Sequence, residues 1–464
     1  MSLLREHWKF GLSLTFLCLF LSLLATKIIL SKAGSLGMDS PDGFRKQHTH
    51  PVPRIGGFPI MLGLLVSWAV LSWHDPHFLA GWWPVLMCNV LIFGIGFADD
   101  LAHLGAKIKL VGQVGVALIA YSLGLSVDKL SLPHYGVIEL GVLSFPATII
   151  WLVALPNLVN LIDGMDGLAG GVGIFLSLTL SVVGQFSGHP EVVWMGLAAA
   201  ASIAGFLRYN LPPARIFLGD GGAYLVGFFI GSISLASSNK GSIAAAFLVI
   251  FVALGLPIMD TFFAIVRRGV RGLPVFRGDF EHIHHQLLRL GFSKTSALIA
   301  LYSVSVVLSV IGISVFWSRG LTLPIAGAFL FLLAVGAARY LGYIKSWSAS
   351  KKQFLGALQR RGELQYAIHL GELLELELDR CTNGTQYWQR FTLGLEWLGF
   401  SQTITNTGRS PVALHLGGGN YWILMPLREN TPDEDEYRLA ECLQTAYNAA
   451  CQKWGPPLLS ASSS

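Results

Sequence analysis

Apolar residues fall along this chain in long runs of about 17–25, the length a helix needs to cross a hydrocarbon layer. Eleven such runs can be read, at 10–30, 55–73, 82–98, 108–127, 142–159, 168–187, 191–208, 217–236, 242–266, 297–317 and 321–344. They predict an all-α polytopic membrane protein with about 11 transmembrane helices. The first run is too long for the apolar part of a signal peptide and lacks a small-residue cleavage site, so it reads as a retained anchor. After residue 348 the pattern changes. An amphipathic stretch at 351–378 precedes short strand-like segments near 401–406 and 421–426, with Gly417-Gly418-Gly419 as a turn between them and a helical pattern at 433–453. The expected organisation is a membrane domain over 1–348 and a small C-terminal α+β cytoplasmic domain over 349–464, to which no catalytic motif gives a role.

Charge sharpens this division. Only 13% of the 464 residues are charged and 53% are hydrophobic, against about 25% charged in soluble domains. From Ala349 onward there are 10 Lys/Arg and 12 Asp/Glu, leaving 37 of the 59 charges to the first three-quarters of the chain. With the N-terminus outside, 14 Lys/Arg in loops and span ends fall on the cytoplasmic side and 5 on the other, which orients the protein by the positive-inside rule. An odd number of spans then places the C-terminal domain in the cytoplasm. The five cysteines show no metal-binding spacing and read as reduced, structural thiols.

Polar motifs interrupt the apolar runs, and under this topology all of them reach the cytoplasmic face. The first joins Arg45-Lys46-Gln47-His48 to Pro53-Arg54-Ile55-Gly56-Gly57. Asp99-Asp100 closes the third run; adjacent carboxylates repel unless a cation or proton relieves them, although solvated acids at a helix end would look the same. Lys107 and Lys109 follow, placed to meet phosphate or simply to obey the positive-inside rule. Asn160-Leu161-Ile162-Asp163-Gly164-Met165-Asp166-Gly167 offers hydrogen-bonding edges among glycines that let a ligand approach the backbone, or else forms an Asx-rich turn. Gly219-Asp220-Gly221-Gly222 places one carboxylate at the start of a span, suited to Mg²⁺ or to capping a helix. The basic loop from Arg267 and Arg268 to Arg289 carries His282, His284 and His285, a pattern for phosphate, more weakly for zinc, or for anionic lipid.

In this order the motifs resemble those of the polyprenyl-phosphate N-acetylhexosamine-1-phosphate transferases, a superfamily that includes the muramyl-pentapeptide translocase. The resemblance runs from about Arg45 to Gly291 and is closest to the bacterial branch that loads undecaprenyl phosphate with GlcNAc-1-phosphate. One departure is Phe276-Arg277-Gly278-Asp279, where relatives commonly carry Phe-Ser-Pro-Asp. The resemblance implies transfer of HexNAc-1-phosphate from a UDP-sugar to undecaprenyl phosphate with release of UMP, at the start of cell-envelope polysaccharide synthesis. It implies Mg²⁺, with Mn²⁺ as a substitute, on Asp220 and Asp99, and catalytic roles for Asp99, Asp100 and Asp220. Substrate would be bound by Lys107, Asn160, Asp163, Asp166, Arg267, Arg268, His282, His284 and His285. The expected partners are the UDP-sugar, undecaprenyl phosphate and the lipid of a bacterial plasma membrane. No nucleic acid is expected, and a homodimer is compatible with the large lipid-facing surface. A different UDP-amino sugar remains an alternative donor. A secondary transporter fits less well, because transporters gather charge at the midplane and often carry inverted repeats.

Overall fold

The computed structural model describes residues 2–32, 38–39, 52–132, 136–238, 250–271, 283–318, 320–340, 365–398, 400–401, 412–415, 421–426 and 442–454. The chain divides into two compact units: Met1–Ser40, His50–Ala264 and Gly278–Ile344 form one, and Pro41–Thr49, Ile265–Arg277 and Lys345–Ser464 the other.

The first unit is a helical bundle. Its helices are α1 (Ser2–Lys32), α2 (Gly57–His74), α3 (Phe78–Ala102), α4 (Ala106–Ser122), α5 (Ser144–Ile162), α6 (Leu168–Ser187), α7 (Pro190–Asn210) and α8 (Gly219–Ser238). Helix α9 (Gly255–Arg271) begins in this unit, and α10 (Ile283–Arg289), α11 (Lys294–Trp317) and α12 (Leu323–Tyr340) complete it. Eight helices among the described residues are long and apolar enough to cross a membrane, so the protein is a helical polytopic membrane protein. They overlap eight of the eleven expected spans. At 108–127 stands α4, 17 residues long, which at about 1.5 Å per residue reaches some 25 Å. The run at 242–266 lies partly outside the described residues, and at 321–344 α12 carries the shorter apolar helix Leu323–Gly336.

Helix α8 is the axis of the bundle. In its spanning window 94% of residues are buried, against 22% for that of α1, and α2, α3, α5 and α6 pack on it. Close packing of α3 depends on Gly96, where a Cβ would collide with the backbone of Asp220 and Gly221. The helices end on recognisable signals. Helix α3 stops where His103 turns left-handed (φ 51°) and its N–H returns to the Asp99 carbonyl, 2.8 Å away. Helix α6 stops at Gly188 (φ 73°), and α11 starts where the Ser293 side chain accepts the Ser296 N–H at 3.1 Å. A short hairpin, β3 (Lys129–Leu132) against β4 (Gly136–Glu139), joins α4 to α5; β1 (Met38–Asp39) and β2 (Val52–Pro53) pair before α2.

Within the second unit, a helix over 365–380 (α13), α14 (Gly384–Trp397) and α15 (Gln444–Trp454) share a core of Leu370, Leu374, Tyr387, Phe391, Leu395 and Tyr447. Three strands, β5 (Phe400–Ser401), β6 (Val412–His415) and β7 (Tyr421–Pro426), form a sheet in the order β5-β7-β6 with antiparallel pairing.

Candidate active site

Polar side chains gather where α3 and α5 end and α2, α4 and α8 begin, all at one end of the bundle. The chain entering α2 runs alongside the chain entering α8. Phe217 N–H donates to the Pro53 carbonyl (2.8 Å), Gly56 N–H to Phe217 (3.0 Å) and Gly57 N–H to Leu218 (2.9 Å). This pairing delivers Arg54 to Asp220, with the guanidinium 3.5 Å from Oδ1. Gly219 makes the turn into α8 at φ 74°, where a Cβ would strike the Arg54 carbonyl and the Asp100 carboxylate.

The adjacent aspartates are employed differently. Both Asp100 oxygens accept backbone N–H groups at the start of α8: Asp220 N–H to Oδ1 at 2.8 Å and Gly221 N–H to Oδ2 at 2.9 Å. Asp100 thus satisfies two donors that a helix start leaves without partners in its own helix, and it fixes where Asp220 stands. Asp99 faces elsewhere. Its Oδ2 accepts from Lys109 Nζ at 3.0 Å, and the same ammonium donates to Asp220 Oδ2 at 2.7 Å. Asp99 Oδ1 is buried and has no hydrogen-bond partner among the described residues. Lys109, rather than Lys107, is therefore the lysine of the cluster. Two positions on a helix turn a side chain by about 200°, and Lys107 is exposed.

The Asn160–Gly167 turn adjoins this cluster. Asp163 is half-buried, and desolvation pushes its carboxyl well above the usual carboxylate range. The charge of Asp220 adds to the shift, followed by Asp100 and Asp166, while Arg54 opposes it. Tyr224, one turn after Asp220, is buried with its hydroxyl against both Asp220 and Asn160. The rest of the turn is held by the scaffold. Asp166 Oδ2 accepts the Ala214 N–H at 3.2 Å. Gly167, at φ 81°, donates its N–H to Asn210 Oδ1 (3.0 Å) and accepts the Tyr302 hydroxyl on its carbonyl (2.6 Å). Asn210 also donates to the Ile216 carbonyl at 2.8 Å, which ties this turn to the segment leading into Asp220.

The structure therefore brings together Asp99, Asp100, Asp220, Asn160, Asp163 and Asp166, and adds Arg54, Lys109, Tyr224, Asn210 and Tyr302. His282 and the Arg45–His48 motif lie outside the described residues. Arg267 and Arg268 lie in α9, and His284 and His285 in α10; their side chains also lie outside the described residues.

Three or more His, Cys, Asp or Glu side chains do not converge on one metal-sized point among the described residues. Mg²⁺ is commonly held by one or two protein carboxylates plus substrate phosphates and water, so the donor set of Asp99 and Asp220 suits it. Such a cation would find Asp99 Oδ1 buried and without a hydrogen-bond partner among the described residues.

Comparison with known proteins identifies relatives of this chain. The model for glycosyl transferase family 4 matches residues 82–238, a segment that holds Asp99 through Asp220. A probable undecaprenyl-phosphate N-acetylglucosaminyl 1-phosphate transferase of Bacillus subtilis is 32% identical over 289 residues, 62% of this chain and 80% of that protein. A decaprenyl-phosphate N-acetylglucosaminephosphotransferase of Mycobacterium tuberculosis is 30% identical over 330 residues, covering 64% and 80%. The undecaprenyl-phosphate alpha-N-acetylglucosaminyl 1-phosphate transferase of Escherichia coli K12 is 26% identical over 291 residues, covering 61% and 77%. With its carboxylates, lysine and arginine assembled at the ends of membrane helices, this chain belongs to the polyprenyl-phosphate N-acetylhexosamine-1-phosphate transferase family.

Proposed function

We propose that this protein transfers GlcNAc-1-phosphate from UDP-GlcNAc to undecaprenyl phosphate, releasing UMP and beginning a cell-envelope polysaccharide. The relatives' names support transfer of GlcNAc-1-phosphate to a polyprenyl phosphate, and the observation that supports it in this chain is the cluster in which Lys109 joins Asp99 to Asp220. Both substrates are phosphates, one on a long lipid and one on a soluble nucleotide. A site of clustered cations and carboxylates at the ends of apolar helices is where they can meet.

In this reading an oxygen of the lipid phosphate attacks the β-phosphorus of the donor. The bond from that phosphorus to the oxygen bridging it to the α-phosphorus breaks, and UMP leaves with that oxygen. A phosphate monoester, with a second pKa near ~6, is already largely ionised at neutral pH, so no covalent aspartyl intermediate is needed. Lys109 and Arg54 offset the negative charge that accumulates as the phosphates approach. Asp99 orients the attacking phosphate, while Asp100 holds the start of α8 and so the position of Asp220. Asn160 and Asp163 face the nucleoside, with Asp166 and Gly167 shaping the turn beneath it. Arg267, Arg268, His282, His284 and His285 are proposed for the diphosphate and sugar, and Lys107 for drawing in the lipid phosphate. Mg²⁺, or Mn²⁺ in its place, would be held by Asp220 and Asp99 and would supply charge neutralisation for the phosphoryl oxygens.

The site is proposed to face the cytoplasm of a bacterial plasma membrane, with eleven spans in all and an α+β domain over 349–464 on the same side, since UDP-sugars are cytosolic. A homodimer is compatible with this arrangement, and no nucleic acid is involved.

The test is transfer of label from sugar-labelled UDP-GlcNAc to undecaprenyl phosphate by the purified protein with Mg²⁺. Lipid-bound label with UMP as co-product is expected, lost with EDTA and reduced about 10²–10³-fold in Asp220→Asn. UDP as co-product would refute the proposed bond cleavage. Transfer from another UDP-amino sugar alone would move the donor assignment.

A further inference from the structure

The apolar run at 242–266 contains a single carboxylate, Asp260, which belongs to none of the sequence motifs. It is 6% exposed. A carboxylate in a membrane helix is costly unless polar groups meet it, and such residues commonly mark function. Asp260 Oδ1 accepts the backbone N–H of Ile283 at 2.9 Å, 23 residues further on.

Ile283 is the first residue of α10, immediately before His284 and His285. Seven residues are too few to sustain a helix by their own hydrogen bonds, and the first N–H groups of any helix lack partners within it. The start of α10 is therefore set from outside. Asp260 supplies that anchor, and a small cavity shows what lies beside it. Asp260 and Ile283 line it together with Ile162 and Leu168, the residues that bracket the Asp163–Gly167 turn. The other end of α10 is fixed as well, since the Phe292 N–H returns to the Leu287 carbonyl at 3.1 Å just before the Ser293 cap of α11.

We propose that Asp260 is a positioning residue that sets the register of the His284-His285 segment against the Asp163–Gly167 turn, acting through the Ile283 N–H. The proposal rests on the transferase reading for its kinetic consequence, but not for the anchor itself. In this proposal Asp260 acts through the Ile283 N–H and not on substrate or metal directly. What matters is the acceptor oxygen, so an amide can replace the carboxylate while an alkyl group cannot.

The full-length protein in lipid nanodiscs, as wild type, Asp260→Asn and Asp260→Leu, would be compared by hydrogen–deuterium exchange in peptides spanning Ile283 and by transfer kinetics. In Asp260→Leu, exchange at the start of α10 should accelerate at least ~10-fold. Its kcat/KM for the UDP-sugar should fall about 10- to 100-fold, through a higher donor KM at an unchanged acceptor KM. Asp260→Asn should keep wild-type exchange and most of the activity. Asp260→Asn as impaired as Asp260→Leu would overturn the proposal, because charge would then be the requirement. So would Asp260→Leu with wild-type exchange, or with acceptor and donor KM rising together. A wild type with no transfer activity, whose Ile283 exchange still depends on an acceptor at position 260, would refute the transferase reading and leave the anchor standing.

Discussion

Two neighbouring regions at the same end of the bundle are built from the same residue types and do different work. In the cluster of Asp99, Lys109, Asp220 and Arg54, side chains meet side chains, and a buried carboxylate oxygen has no partner among the described residues. In the turn from Asn160 to Gly167, the far half is held to its surroundings through backbone groups: Asp166 to Ala214, Gly167 to Asn210 and Tyr302. In the proposed reading the cluster keeps charge available for a ligand, while the far half of the turn uses its polarity to hold a shape. Asp100 belongs to the second kind although it sits beside Asp99. Residue type and position along the chain therefore do not assign a role; the groups within reach of each oxygen do.

The comparison breaks most visibly at the lysines. Lys109→Met should lower transfer about 10²–10³-fold, whereas Lys107→Met, which removes only an exposed charge proposed to attract the lipid phosphate, should raise the acceptor KM no more than a few-fold with kcat unchanged; equal losses would remove Lys109 from the centre of the site. A finer test sets Asp99→Ala against Asp100→Ala. The first should abolish transfer while leaving the melting temperature near that of wild type. The second should cost about 1–3 kcal/mol of stability, because two buried N–H groups lose their acceptor, and activity should fall with it. If both variants melted alike, the division of the pair would be wrong. The smallest effect is expected in the turn. Tyr302→Phe removes one hydrogen bond to the Gly167 carbonyl, about 1 kcal/mol, and should raise the donor KM a few-fold with kcat unchanged.

Much of this was legible in the sequence, and the limit has a physical form. Long apolar runs announced the bundle, and the Asp99-Asp100, Asn160–Gly167 and Asp220 motifs marked the ends that converge. What periodicity could not supply was rotation about each helix axis. One residue turns a side chain by about 100°, enough to send Asp99 toward Lys109 and Asp100 toward α8. The same angle separates Lys107 from Lys109 twice over. Asn210 and Tyr302 escaped notice because each is a single polar residue with no local pattern, and its partner lies 43 or 135 positions away. Asp260 did leave a trace, as a lone acid in an apolar run, a cost that calls for a reason.

A site assembled from the ends of membrane helices also determines how its two substrates find it. The nucleotide sugar arrives from three-dimensional solution, whereas the polyprenyl phosphate arrives along the plane of the bilayer. For the lipid, the relevant concentration is its mole fraction in the surrounding membrane or micelle. Adding inert detergent or phospholipid at constant total acceptor should then slow the reaction by surface dilution, with no change in the enzyme itself. The donor's saturation curve should keep its midpoint under the same dilution.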